Sequence, residues 1–189
     1  VLDALEASGR SADTWIFFTA DHGLAVGQHG LMGKQNMHEH SLRVPFIVAG
    51  PGVAANRRIE TRIHLQDVMP TTLELAGVSR PSQVHFRSVL PLMDEPRGGE
   101  QPDIYSAYRD SQRALIHGAF KLIVYPVGKV LRLYRLDKDP AETTDLARDA
   151  AHMPKIRELF ARLLEQQRSL GDPLDLRNVF PELTREETN

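Results

Sequence analysis

Short hydrophobic runs separated by polar stretches dominate the first part of the chain. Residues 14–20 form an aromatic and branched run without polar alternation, which predicts a strand covered on both faces. A second strand is predicted at 44–49, and helices are predicted at 2–7 and at 68–76, the latter with Asp67 as its N-cap. Helix, strand, loop, strand and helix in this order are typical of an α/β fold.

The later part of the chain shows a different pattern, in which short strand-like runs follow one another across tight turns. These runs predict an antiparallel meander with strands at 104–108, 113–117, 120–125 and 130–136. One long helix is predicted next, with Pro154 in its first turn and Gly171 at its end. We expect its apolar face to lie on the small sheet, and that face comprises Ile156, Leu159, Phe160, Leu163, Leu164 and Leu170.

A stretch rich in charge, glycine and proline at 94–103 separates these two patterns. Such a composition continues neither a helix nor a central strand. We therefore predict two domains: 1–95, an α/β domain that carries a polar loop, and 103–189, a small α+β subdomain.

Composition and charge narrow the classes of protein. The 189 residues are 41% hydrophobic and 25% charged, which suits one ordinary domain or slightly more. A net charge of -2 gives no basic field for nucleic acid, and no apolar run approaches the roughly 20 residues that cross a membrane. The chain has no cysteine and so no disulfide. Localisation stays undetermined at this level.

Candidate chemistry follows directly after the first strand, where Asp21, His22 and Gly23 stand together. The carboxyl ends of strands in open α/β sheets face the crevice that binds ligands. Asp21 offers an anionic oxygen and His22 a neutral imidazole, while Gly23 would let the backbone turn sharply after them. Since Ca²⁺ takes about six to eight oxygen ligands, further ligands must come from elsewhere. This arrangement is typical of a metal-dependent hydrolase.

Several motifs occur in one order along nearly the whole chain. They are Asp21-His22-Gly23, Gly27-Gln28-His29-Gly30-Leu31, Gly33-Lys34, Glu39-His40-Ser41-Leu42-Arg43-Val44-Pro45, Asp67-Val68-Met69-Pro70-Thr71-Thr72-Leu73 and Leu133-Tyr134-Arg135-Leu136-Asp137-Lys138-Asp139-Pro140-Ala141-Glu142. In this order they resemble the second half of the type I, formylglycine-dependent sulfatases of the alkaline-phosphatase-like superfamily.

The resemblance implies a fold and a set of roles. The fold would be the C-terminal part of an alkaline-phosphatase-like sulfatase sheet domain, followed by a small antiparallel-sheet and helix subdomain. Residues 1–95 would then be the C-terminal part of the α/β catalytic domain and carry the metal and sulfate-binding loop. Asp21 would be a metal ligand, His22 a metal ligand or a sulfate contact, and Lys34 the residue that contacts the sulfate. The expected metal is Ca²⁺, although the imidazole of His22 leaves Mn²⁺ or Zn²⁺ open.

Other residues of the polar loop receive structural interpretations. His29, His38 and His40 are interpreted as loop-packing or substrate-rim residues, and His38 stands where many relatives have tyrosine. Arg43 is interpreted as a buried structural cation with Glu39 as its partner.

The nucleophile of the family is not found in this chain. Relatives use a Cys or Ser in a Cys/Ser-x-Pro-x-Arg motif, oxidised to formylglycine, and the nearest match, Ser79-Arg80-Pro81-Ser82-Gln83, ends in glutamine. We therefore expect the nucleophile in a missing N-terminal half of the same protein. The chain alone would then be inactive and would expose apolar surface along 14–20, with self-association as a consequence.

The predicted function is sulfate ester hydrolysis by the complete protein, an arylsulfatase-like hydrolase acting on a small-molecule or carbohydrate sulfate ester. Two alternatives remain: a phosphonate monoester or phosphodiester hydrolase of the same superfamily, and a noncatalytic module derived from a sulfatase. A periplasmic or secreted location is suggested by the family resemblance only.

Overall fold

The computed structural model describes residues 1–94 and 101–184. In this part of the chain the helices are α1 (Leu2–Ala7), α2 (Glu39–Leu42), α3 (Val68–Leu75), α4 (Leu90–Asp94), α5 (Met153–Leu170) and α6 (Leu176–Val179). The strands are β1 (Ile16–Thr19), β2 (Ala25–Val26), β3 (Met32–Gly33), β4 (Phe46–Ala49), β5 (Ile104–Tyr108), β6 (Gln112–His117), β7 (Phe120–Tyr125) and β8 (Val130–Arg135). None of the described helices is both long and apolar enough to cross a membrane.

The elements belong to two units, which we call the first unit and the second unit. The first unit comprises Val1–His22 and Val44–Pro102, and the second comprises Gly23–Arg43 and Asp103–Asn189, as far as these ranges are described. The loop of 23–43 thus groups with the later part of the chain, whereas the sequence places it in a domain of 1–95. The domain limits themselves stay a prediction, and residues 95–100 of the expected boundary lie outside the described residues.

The first unit contains the two-stranded sheet of β1 and β4, which pair antiparallel with Ile16 opposite Ala49. Both strands lie within the predicted runs of 14–20 and 44–49. Coverage on both faces is wrong for the central pair, because Phe18 and Ile47 are register partners and each is 59% exposed. The apolar surface expected along this strand is therefore present.

Helix α3 confirms the helix predicted at 68–76, and Asp67 stands at its N-cap position as predicted, but without the side-chain hydrogen bond of a cap. The carboxylate of Asp67 makes no cap hydrogen bond to the first turn of α3. It accepts instead from the backbone N–H groups of His64 at 2.8 Å and Arg87 at 3.0 Å. The reason is a 3₁₀ turn, Leu65–Asp67, that runs directly into α3 and places Asp67 at the third position of a capping box.

The second unit is built on a four-stranded antiparallel sheet with the order β5-β6-β7-β8. It confirms the predicted meander to within one residue at each strand end. Helix α5 confirms the predicted long helix, and it ends at Gly171, which has a φ of 68°.

One face of this sheet, which we call the helix face, is largely apolar and packs against α5, and its buried charge is Arg113, which pairs with Asp172. The apolar strand residues of this face are Leu115, Leu122, Val124 and Leu133, and all are fully buried. From α5 they meet Ile156, Leu159, Phe160 and Leu163. Leu170, predicted on the same stripe, is 54% exposed because it stands in the last turn of α5.

The opposite face, which we call the loop face, carries the alternate residues of the same strands. Ala114, Ile123 and Tyr134 are buried here together with Met37 from the loop of 23–43. Lys121 alternates with Leu122 along β7 and therefore belongs to this face, and it is fully buried. The loop face thus combines apolar packing with a buried charge.

Candidate functional site

Asp21 and His22 follow the end of β1 in the first unit and lie against each other. The backbone N–H of His22 donates to Oδ1 of Asp21 at 3.0 Å, and His22 Nε2 lies 3.4 Å from Asp21 Oδ2. Two neighbouring ligands of one cation, each at about 2.3 Å and at right angles, stand about 3.3 Å apart. The Asp21 side chain is 83% exposed, and the 3.4 Å separation is that of a direct His–Asp contact as well as that of two ligands of one cation.

Gly23 is required for a reason other than the sharp turn expected from the sequence. Its φ does not lie in the left-handed region. Its N–H donates to the carbonyl oxygen of Ser41 at 2.9 Å, and a Cβ at this position would stand 2.0 Å from the carbonyl oxygen of His40. The residue after the Asp21-His22 pair must therefore be glycine so that two backbone segments can meet.

Lys34 lies in the second unit, directly after a small hairpin. Strands β2 and β3 pair antiparallel, with Ala25 opposite Gly33, and Gly33 has a φ of 97°. Lys34 follows with an exposed side chain, and its carbonyl oxygen accepts the N–H of Asn36 at 2.9 Å. The next carbonyl, that of Gln35, accepts from Nε2 of Gln112 at 3.0 Å, which ties the loop to β6.

A buried ion network lies beside this loop, and the sequence interpretation missed it. Lys121 Nζ donates to Glu39 Oε1 at 2.8 Å and to Glu142 Oε1 at 2.8 Å. Glu39 therefore pairs with Lys121, not with Arg43 as predicted. Arg43 is exposed, so its interpretation as a buried structural cation is also wrong. The Arg43 guanidinium, at the end of α2, is exposed to water, whereas the buried ammonium of Lys121 donates hydrogen bonds to two carboxylates.

Glu142 is the centre of the network. Its Oε2 accepts from the backbone N–H of Glu39 at 2.7 Å and from Nδ1 of His38 at 3.1 Å. Burial alone would raise the pKa of Glu142, but the hydrogen bond from His38 and the charge of Lys121 outweigh burial and lower this pKa to about 2. The Glu142 carboxylate is therefore ionised throughout the physiological range.

Three histidines of the loop stack on one another, which their spacing in the sequence does not reveal. The ring centroids of His29 and His38 are 3.9 Å apart with 12° between the ring planes, and His40 lies 5.5 and 5.7 Å from them. Burial lowers the pKa of His29 and of His40, and the charge of His38 lowers both further. This stacking agrees with the loop-packing interpretation of the three rings.

His29, His38 and Glu142 bring potential metal ligands within 4.8 Å of one another. Two observations argue against a cation there. Both carboxylate oxygens of Glu142 already accept hydrogen bonds, and the ammonium of Lys121 is 2.8 Å away. The in-plane lone pairs of the two stacked rings also lie in nearly parallel planes and do not meet at one point. We interpret this group as a structural network.

The sequence contains a signal for part of this network. Lys121 interrupts the apolar run of β7, and a lysine there must be paired if the strand is buried. Glu142 stands in the Asp-Pro-x-Glu element, but 21 residues separate it from Lys121, so only the fold shows that they meet.

Comparisons with known proteins agree with these features. Residues 1–78 match the family model described as Sulfatase. Arylsulfatase K of Xenopus laevis is 27% identical over 178 residues, which cover 86% of this chain and 33% of that protein. The chain therefore spans about a third of the length of this relative.

Two solved structures show the same fold. BT4656, in complex with its substrate D-glucosamine-2-N,6-O-disulfate, has a TM-score of 0.78 and 25% identity, covering 91% of this chain and 37% of that one. A phosphonate monoester hydrolase of Silicibacter pomeroyi has a TM-score of 0.78 and 24% identity, covering 89% and 37%. These likenesses confirm the α/β fold class expected for the C-terminal part of an alkaline-phosphatase-like protein.

Proposed function

Because the chain belongs to the sulfatase family, we propose that it is the C-terminal part of a sulfuric ester hydrolase. The single observation that carries this proposal is the adjacent Asp21 and His22 pair at the end of β1, inside the region that matches the Sulfatase model. Lys34 follows within the same matched region. The match covers about a third of the length of Arylsulfatase K, which supports a complete enzyme that is longer than this chain.

Asp21 and His22 would hold a divalent cation. Their donor atoms, 3.4 Å apart, have the separation of neighbouring ligands, and the carboxylate oxygen suits a hard cation. Ca²⁺ is the proposed ion, and the imidazole of His22 keeps Mn²⁺ and Zn²⁺ as outcomes of a metal test. When bound, the cation would supply positive charge at the sulfate oxygens, and a formylglycine elsewhere in the protein would supply the nucleophile.

Lys34 would bind a nonbridging oxygen of the sulfate group. Its exposed side chain follows a hairpin and precedes a carbonyl held by Gln112, so its backbone is fixed on both sides. An ammonium placed there donates hydrogen bonds to the oxygens on which charge develops as the sulfur–oxygen bond breaks. Lys34 needs no proton transfer for this role.

The proposed substrate is a sulfated small molecule or carbohydrate. BT4656, whose structure matches this chain, has a disulfated glucosamine as its substrate. The sulfate group is the part of such a molecule that Lys34 and a divalent cation recognise, so we propose the ester class and leave the alcohol unspecified.

A phosphonate monoester or phosphodiester hydrolase is the second candidate, because the Silicibacter pomeroyi enzyme matches with the same TM-score of 0.78. A tetrahedral phosphoryl group has oxygens that the same ammonium and cation could bind. A noncatalytic module is the third candidate, and the paired Asp21 and His22 donors argue against it.

The rest of the protein would cover the apolar pair of Phe18 and Ile47. These register partners, each 59% exposed, leave an apolar surface on the two-stranded sheet. Without that cover, we propose that the chain self-associates through this surface.

The test is hydrolysis of an aryl sulfate, a phosphonate monoester and a phosphate diester by the full-length protein that contains this chain, with Ca²⁺, Mn²⁺ or Zn²⁺. The proposal expects kcat/KM to be highest for the sulfate and to fall on metal removal. A preference for either phosphorus ester would establish the second candidate, and no hydrolysis of any ester would leave the noncatalytic module.

A further inference from the structure

We propose that Glu142 is the positioning residue of the sulfate-binding loop: its carboxylate fixes the backbone that follows Lys34 to the loop face of the small sheet. This inference rests on the proposed function, since it assigns Lys34 the sulfate. It adds a residue more than 100 positions later in the chain, outside the region that matches the Sulfatase model.

The first step of the argument is that the segment after Lys34 depends on side chains for its shape. Between β3, which ends at Gly33, and α2, which begins at Glu39, no residue belongs to a helix or strand. A short helix of four residues supplies few internal hydrogen bonds. The conformation of this segment therefore depends on its few internal hydrogen bonds, such as that from the His38 N–H to Oδ1 of Asn36, and on contacts from outside it.

The second step is that Glu142 supplies two hydrogen bonds to the end of this segment and the start of α2. Its Oε2 accepts one hydrogen bond from the backbone of Glu39 and one from the side chain of His38, at 2.7 and 3.1 Å. Charge-assisted hydrogen bonds to a buried carboxylate are stronger than neutral ones. The two donors, His38 and Glu39, lie four and five residues after Lys34. A shift of the Glu142 carboxylate would therefore move the loop that carries Lys34.

The third step is that Glu142 is itself fixed. Lys121, fully buried on β7, donates to Oε1 of Glu142 and to Glu39 at 2.8 Å each. Glu142 has a φ of 57°, a left-handed conformation that tertiary contacts must hold. The carboxylate is therefore placed by the sheet, and the loop takes its position from the carboxylate.

The fourth step is that two further contacts act in the same direction. Gln112 of β6 donates to the carbonyl oxygen of Gln35, the residue after Lys34. Met37 is 3% exposed and packs with Ile123 and Tyr134 on the loop face. These contacts to residues 35–39 come from the second unit, and Glu142 and Lys121 supply the charged ones.

The test compares Glu142→Gln with Glu158→Gln in the full-length protein. Both variants replace a carboxylate by an amide, but Glu158 is on α5 in an exposed pair with Lys155. Hydrogen exchange measured by mass spectrometry should show the 35–40 amides exchanging at least about tenfold faster in Glu142→Gln and unchanged in Glu158→Gln. Unchanged exchange in both variants would overturn the proposal.

A double-mutant cycle separates positioning of Lys34 from general damage. Misplacement of a group by about 1 Å costs up to about 100-fold in rate, so Glu142→Gln should lower kcat toward an aryl sulfate about 10- to 100-fold. In a Lys34→Ala background the same change should have less than about a threefold effect, because the group being positioned is gone. An equal loss in both backgrounds would overturn the proposal.

Gln112→Leu serves as a second variant if Glu142→Gln does not fold. It removes only the hydrogen bond to Gln35, and the same cycle with Lys34→Ala should again be non-additive, whereas additivity would contradict the inference. The proposed function fails separately: a protein that hydrolyses no sulfate ester would defeat it, and the exchange experiment would still decide whether Glu142 holds the loop.

Discussion

The two faces of the sheet β5-β6-β7-β8 have different roles, although the same strands form both. On the helix face, leucine and valine side chains pack against α5, and the buried ion pair of Arg113 with Asp172 adds one specific charged contact. On the loop face, Lys121, Glu142 and Glu39 form specific charged hydrogen bonds to a segment from another part of the chain. The comparison indicates that the helix face stabilises the fold, while the loop face positions the candidate site.

The largest expected effect is on the helix face. Phe160→Ala removes a fully buried ring that packs against Phe180 at 5.9 Å, and should lower the free energy of unfolding by about 3–5 kcal/mol. Leu170→Ala is the matched control on the same helix, since Leu170 is 54% exposed and should cost less than about 1 kcal/mol. Denaturant unfolding of both variants measures the difference, and similar losses would contradict the assignment of the helix face.

The next effect is on the loop face. Lys121→Met removes the buried ammonium that bridges Glu39 and Glu142, so both carboxylates lose this ion pair. Breaking a buried pair from one side costs about 3 kcal/mol or more. Denaturant unfolding at pH 7 and pH 4 measures this loss of free energy of unfolding. The loss should be smaller at pH 4, because protonation of a carboxylate removes an unpaired buried charge. A variant as stable as the parent would show that the network contributes little.

Acidification should act on the loop face before the helix face, because the carboxyl on the helix face is Asp172, whose pKa is lowered by its hydrogen bond from Arg113. Folding lowers the pKa of His29 and His40 below 6.5, so their contribution to stability is present above pH 6.5 and is lost as pH falls through their lowered pKa values. Glu142 has a pKa of about 2 against 4.5, so its contribution is lost only between about pH 4.5 and 2.

The measurement is exchange of the 35–40 amides as a function of pH, corrected for the intrinsic rate. Protection of the 35–40 amides should fall as the pH drops below 6.5. The backbone amides of β6 and β7 should remain protected at the same pH. Earlier loss of protection in β6 and β7 than in residues 35–40 would contradict the distinction between the two faces.

The smallest effect is expected at the surface of α5. Lys155 and Glu158 form an exposed ion pair three residues apart, and Glu158→Gln should change the free energy of unfolding by less than about 0.5 kcal/mol. Denaturant unfolding at low and high salt measures it. A larger change would show that exposed charge on α5 matters as much as the buried network.

Much of the helix face could be predicted from the sequence, because periodicity alone identifies α5 and the four strands. The loop face could not be, since Lys121, Glu142 and Glu39 lie far apart in the chain and meet only in the fold. The same distance explains one error, because Arg43 is nearer to Glu39 in the sequence than Lys121 is. The missing cap hydrogen bond of Asp67 has a local cause, the 3₁₀ turn that runs directly into α3.

At the candidate site, the sequence predicts the candidate metal ligands and the sulfate-binding lysine, but not the contacts that hold the loop of Lys34. Asp21 and His22 were found from residue type and position after a strand, and their 3.4 Å contact agrees with a shared cation. The prediction for Lys34 rests on its motif, and the contacts that hold its loop were found only in the structure. The assigned roles of these three residues stay predictions.

The measurement that tests the central claim most directly is kcat/KM for an aryl sulfate in the full-length protein carrying Lys34→Ala, beside Lys138→Ala as an exposed control. If Lys34 binds the sulfate, its removal should lower kcat/KM by about 100-fold and the control should leave it unchanged. Equal activity of the two variants would contradict the assignment of Lys34 and with it the proposed site.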